Sequence, residues 1–141
     1  MILCDTGPFV ALIDADDRHH QTCVAALSEL PAEPLLTTWP CLVEAMYLLG
    51  RSGGFAAQEV LWGYLDTGLV KVHRPEQDEW RQMRALMLRY SDTPMDLADA
   101  SLVVAAESYQ LQRIFTLDRH FQSYRIAGRQ PFLVVPQLIA G

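Results

Sequence analysis

The sequence predicts an α/β fold: a single domain over residues 1–141 in which a parallel sheet lies between layers of helices, an α/β/α sandwich. Two observations carry this. Short apolar runs without polar alternation, such as "MILC" and "RIFTL", read as strands buried on both faces, and stretches of helical length stand between them. Strands that alternate with helices imply parallel pairing through right-handed crossovers, which set helices on each side of the sheet. A chain of 141 residues is the size of one domain with one core.

The elements follow in order. "MILC" ends at Asp5 and Thr-Gly-Pro, so it reads as a strand, a tight turn and then a helix through "FVALIDA". A second helix fits "HHQTCVAALSEL" and stops at Pro31. "PLLTT" is the second strand, and "PCLVEAMYLLG" is a helix with Pro40 in its first turn and Gly50 at its end. "FAAQEVLWGYL" is a further helix, "GLVKVHR" a strand, and "EQDEWRQMRALMLRY" a helix whose Trp80, Met83, Met87 and Tyr90 form one core-facing stripe. A helix headed by "PMDLADASLVVAAE" leads into the strand "RIFTLD", and "PFLVVP" is the last strand.

Half the residues are hydrophobic and a fifth are charged, which excludes a disordered chain. The start lacks the basic residues of a signal peptide, and charges interrupt every apolar run, so a cytoplasmic protein without membrane spans is expected. Cys4, Cys23 and Cys41 form no CxxC pair and read as reduced core thiols. His19, His20, His73 and His120 offer no zinc spacing. A net charge of −6 counts against a broad nonspecific nucleic-acid surface. From Leu111 onward, however, Asp118 is the only acid against Arg113, Arg119, Arg125 and Arg129, a basic flank beside an acidic site.

The helix from Pro94 is apolar except at its head, where Asp96 and Asp99 stand three residues apart. Helix capping accounts for such a pair: Asp96 as N-cap, Asp99 at N3 facing the positive end of the dipole. Other acids point to the same place. Asp5 and Asp118 end strands, and ligands of open parallel sheets bind beyond the carboxyl ends of the strands. Glu44 stands one turn into its helix, between Val43 and Ala45, in a segment too apolar to be mostly solvated. Carboxylates that close together need a cation or must hold protons. Oxygen ligands favour Mg²⁺ or Mn²⁺, and the chemistry that uses such a site most often is phosphodiester hydrolysis.

"ILCDTGPFVALID", "TTWPCLVEAMYLL", "MDLADASLVVAAE" and "IFTLDRHF" together resemble the four acidic motifs of the PIN-domain ribonucleases, in order and across nearly the whole chain. The likeness is strongest to the VapC-type toxins of bacterial toxin–antitoxin pairs. It implies a PIN-like fold and a Mg²⁺- or Mn²⁺-dependent endoribonuclease acting on RNA, often a homodimer, blocked by a small antitoxin. Asp5, Glu44, Asp99 and Asp118 match the four catalytic acids in turn, with Asp5, Asp99 and Asp118 as metal ligands. Where many relatives carry a further acid before the final aromatic of the fourth motif, this chain has His120 before Phe121, which bears on whether one ion or two are held. Thr6 and Thr116 could serve a metal-bound water or a neighbouring carboxylate, or make strand-end turn bonds. Asp96 stays open between a helix cap and a group that orients the water. Arg113, Arg119 and Arg125 are candidates for substrate contact.

Two other readings meet obstacles. A haloacid-dehalogenase-type phosphatase needs a second Asp two residues after the first, where this chain has Gly7. A noncatalytic binding module with the same fold does not explain four acids at one sheet edge.

Overall fold

The computed structural model describes residues 1–138. Five strands, β1 (Ile2–Cys4), β2 (Leu35–Thr37), β3 (Val70–Val72), β4 (Arg113–Phe115) and β7 (Leu133–Val135), form a sheet in the order β3-β2-β1-β4-β7. Every pair in it is parallel. Side chains alternate across it, as the pleat requires. Leu3, Leu36 and Ile114 enter one core with α4 (Glu79–Arg89) and α5 (Leu97–Tyr109). Ile2, Cys4, Leu35 and Phe115 enter the other with α1 (Thr6–Ile13), α2 (His20–Glu29) and α3 (Trp39–Asp66). The layered α/β architecture expected from the sequence is therefore present.

From β1 the chain moves outward to β2 and β3, then returns across the sheet to β4 on the other side of β1. The order reverses between β1 and β4. Crossovers diverge from such a point and leave a crevice beyond the carboxyl ends of the two strands. Asp5 directly follows β1, and Asp118 follows β4 by three residues.

Several elements depart from the sequence expectation. The first helix begins at Thr6, not after Pro8, because Asp5 accepts the Thr6 N–H at 2.7 Å and Pro8 in the first turn needs no donor. The two helices expected on either side of Gly50 run together as α3, with the break at Gly54. Gly54 has φ 66° and ψ −160°, a conformation that side chains resist. At Gly50 a Cβ would stand 2.6 Å from Gln58 Nε2, which donates to the Met46 carbonyl across the kink. Strand RIFTLD ends at Phe115; Asp118 instead caps a 3-10 helix, Arg119–Gln122, and accepts the His120 N–H. Pro131 belongs to a small antiparallel ribbon of β5 (Arg125–Ile126) and β6 (Gln130–Pro131), so PFLVVP is not one strand.

The α4 stripe also differs. Trp80 is 52% exposed and Met87 37%, while Glu79, Met83, Leu86 and Tyr90 face inward. At 3.6 residues per turn the inward residues share one line along the helix, and Trp80 and Met87 fall about a quarter turn from it. The three cysteines are free and buried, as expected.

Candidate metal centre

Three segments deliver the acids. Asp5 is placed by β1, the most central strand, and its side chain is 8% exposed. Oδ1 accepts the Thr6 N–H, and Oδ2 accepts the Thr116 hydroxyl at 2.8 Å. Thr116 in turn accepts the backbone N–H of Asp118 at 3.0 Å. One hydroxyl thus joins the ends of β1 and β4 and sets the spacing of their two carboxylates. The Cys41 thiol lies 3.7 Å from Asp5 Oδ1.

Asp99 comes from the first turn of α5. Asp96 is its N-cap: Asp96 Oδ1 accepts the Asp99 N–H at 2.8 Å, and Asp99 Oδ2 accepts the Asp96 N–H at 3.2 Å. The capping box expected from the sequence is formed. Capping does not exhaust Asp99, because one oxygen from each of Asp5, Asp99 and Asp118 lies within 4.8 Å of the others. Asp96 caps the helix and lines the same cavity, without belonging to that trio.

Glu44 sits at the mouth. It is exposed, contrary to the expectation from its apolar neighbours, because Val43 beside it is 65% exposed and this side of α3 faces solvent. Its Oε2 lies 3.4 Å from the Thr6 hydroxyl, whose proton has the nearer Cys41 carbonyl at 3.1 Å as acceptor. The cavity, about 290 Å³, is lined by Asp5, Thr6, Glu44, Asp96, Asp99 and Asp118 among others.

Burial and crowding act on these acids together. Asp5 is pushed up from 3.8 to about 6, mainly by burial; the Thr116 and Thr6 bonds pull it down, and the charges of Asp118 and Glu44 raise it. Asp99 is pushed up to about 7, again mainly by burial, with the Asp96 N–H opposing and the charges of Asp96, Asp5 and Asp118 adding. Both carboxyls are thus harder to ionise than free ones, and a cation among them would offset that cost. Three oxygen donors with no thiolate or imidazole among them suit a hard divalent ion.

A family model of the PIN domain matches residues 2–127. The chain belongs to the PIN domain family. Ribonuclease VapC26 of Mycobacterium tuberculosis is 29% identical to this PIN domain protein over 136 residues, spanning 96% of this chain and all of the relative. The crystal structure of Mycobacterium tuberculosis VapC20, a toxin that cleaves the sarcin–ricin loop, superposes with a TM-score of 0.76 at 22% identity, covering 84% of this chain and 90% of that one. The FitAcB structure from Neisseria gonorrhoeae superposes with a TM-score of 0.55 at 20% identity, covering 84% and 88%. Both likenesses concern the fold.

The fold does not gather all the other candidates of the sequence. Arg113 opens β4 at its amino end, the far edge of the sheet from the acids. Arg125 spends its guanidinium on the carbonyls of Gln122 and Tyr124, both at 2.9 Å. Arg119 is exposed and directly follows Asp118. His120 Nδ1 lies 3.0 Å from Asp118 Oδ1, so the residue in place of the further acid contacts the carboxylate. Sequence reasoning named Cys41 only as a core thiol and passed over Tyr124 and the Thr38–Ser101 hydroxyl pair, 2.6 Å apart, which ties the start of α3 to α5. Their partners lie 25 to 63 residues away, and no local pattern announces such contacts.

Proposed function

We propose that this chain is a divalent-metal-dependent endoribonuclease that hydrolyses RNA phosphodiester bonds, with Asp5, Glu44, Asp99 and Asp118 as its catalytic acids and the whole chain as one nuclease domain. The observation that carries the reading is the meeting of Asp5, Asp99 and Asp118 within 4.8 Å at the point where strand order reverses. Those three would hold Mg²⁺ or Mn²⁺. The ion would supply charge to a phosphoryl oxygen and acidify a water. Thr116 holds Asp5 and the Asp118 backbone in register. Glu44, outside the trio and 3.4 Å from the Thr6 hydroxyl, stands where it can take a proton from the attacking water. Arg119, next to Asp118, is the one of the three candidate arginines whose chain position adjoins the acids, and it is the phosphate contact we favour.

Likeness to Ribonuclease VapC26 over nearly the whole of both chains supports a toxin, with a small antitoxin protein as partner. A homodimer is supported by Trp39, Val43 and Tyr47, a row of exposed apolar side chains four residues apart along α3. Among the described residues no helix is long and apolar enough to cross a membrane, and we place the protein in the cytoplasm.

The test is cleavage of RNA by the purified chain in Mg²⁺, in Mn²⁺ and in chelator, with Asp5→Asn alongside. Metal-dependent cleavage lost in Asp5→Asn supports the reading. RNA binding without cleavage in either metal would turn it towards a binding module.

A further inference from the structure

Tyr124 follows the 3-10 helix, and its ring is fully buried. Tyr90 and Phe121 meet it edge-on, with centroids 5.1 and 5.0 Å away. Such contacts fix the ring and so the position of its hydroxyl. That hydroxyl, with one proton to give, donates to the Pro94 carbonyl on the segment entering α5 and lies 3.4 Å from Asp99 Oδ2. The same Oδ2 takes the Asp96 N–H. The contacts of the Asp99 side chain with the Asp96 N–H and the Tyr124 hydroxyl thus fall on the same oxygen.

We propose that Tyr124 is a positioning residue for the cation site. Its hydroxyl clamps the turn from Pro94 to Asp99 and aims the Asp99 carboxylate at the cluster formed with Asp5 and Asp118. The inference rests on the cluster being a cation site. The capping box joins Asp96 to Asp99 within α5 and cannot fix that turn against the rest of the fold. Tyr124 can, because it stands on the segment after β4 that also presents Asp118. Filling the space alone asks only for a ring, which Phe would supply; the hydroxyl is what holds the Pro94 carbonyl and stands beside Asp99.

The test uses the full chain, wild type, Tyr124→Phe and Tyr90→Phe. Tyr90 is the control, since it touches the same ring while its own hydroxyl accepts the Arg125 N–H at 3.1 Å. Calorimetric titration with Mn²⁺, in the cold and after circular dichroism has verified folding, gives the dissociation constant of each. Tyr124→Phe should bind Mn²⁺ about tenfold more weakly, the lower part of the range for losing a group that orients a metal ligand. Tyr90→Phe should match wild type. A second readout needs no Tyr124 variant: Mg²⁺ should perturb the near-ultraviolet tyrosine absorption of wild type and of Tyr90→Phe. Equal affinities for wild type and Tyr124→Phe, an equal loss in both variants, or an unperturbed tyrosine spectrum would overturn the clamp. Failure of wild type to bind Mn²⁺ would instead overturn the cation site itself.

Discussion

Two places in this molecule bury acidic side chains, and they are built differently. Glu79, 3% exposed, has a donor on each oxygen: His73 Nε2 at 2.7 Å on one and the Glu76 N–H at 2.6 Å on the other. Tyr109 meets the His73 ring edge-on, 5.3 Å away. This acid is satisfied from within the fold. Asp5 and Asp99, each 8% exposed, accept hydrogen bonds as well, Asp5 on both oxygens, but their pKa values are raised by burial and then by the charges of neighbouring carboxylates. The contrast teaches that burial of an acid is not in itself a sign of function. A buried acid crowded by others of its kind calls for a cation from outside.

Replacing one acid at each place should break opposite things. Asp5→Asn keeps the volume and removes a charge, so RNA cleavage should fall by about a hundredfold or more, as expected for losing a metal ligand worth several kcal/mol at the transition state. Its melting temperature in chelator should not fall, because a repelling charge has gone. Glu79→Ala should do the reverse: about 2 kcal/mol of stability lost, the usual cost of leaving buried donors such as the Glu76 N–H without an acceptor, with metal-dependent cleavage kept by the molecules that remain folded. Urea unfolding beside a cleavage assay checks both. Equal loss of activity in both variants would dissolve the distinction.

A pH series sharpens it. In the metal-free fold Asp5 and Asp99 keep protons up to about pH 6 and about pH 7, whereas in the unfolded chain they ionise near 3.8. Between those values the unfolded state releases protons first, so the fold should lose stability as pH rises through that window. Below about pH 4 both states are protonated and the penalty vanishes. Saturating Mn²⁺ binds the ionised form of the fold and should flatten or invert that slope. Melting scans in chelator and in Mn²⁺ would refute this if stability in chelator rose from pH 4 to pH 7.

The smallest expected effect concerns Asp96. Asp96→Ala should cost about 1 kcal/mol from the lost cap, with or without metal, and Asp96→Asn should cost little, since Asn caps nearly as well. Loss of Mn²⁺ binding in Asp96→Asn would move Asp96 into the ligand set.

What the sequence made legible was local or topological. Asp5 and Asp99 could be placed because one ends a buried strand and the other follows an N-cap by three residues, and both patterns carry their own physics. Alternating apolar runs gave the layered architecture, but not the phase of α4, where a quarter turn exposes Trp80. Glu44 was expected to be buried because its neighbours are apolar, yet apolar Val43 itself faces solvent. Arg113 was grouped with the other arginines by sequence proximity, whereas a strand has two ends and only one meets the site. Tyr124 had no local signal: its link to Asp99 spans 25 residues and depends on how the segment after β4 folds back.

The most direct measurement is the anomalous scattering of a crystal soaked in Mn²⁺. A cation held by the three aspartates gives a single strong peak about 2 Å from oxygens of Asp5, Asp99 and Asp118. Absence of a peak there at millimolar Mn²⁺, or a peak on other residues, would contradict it.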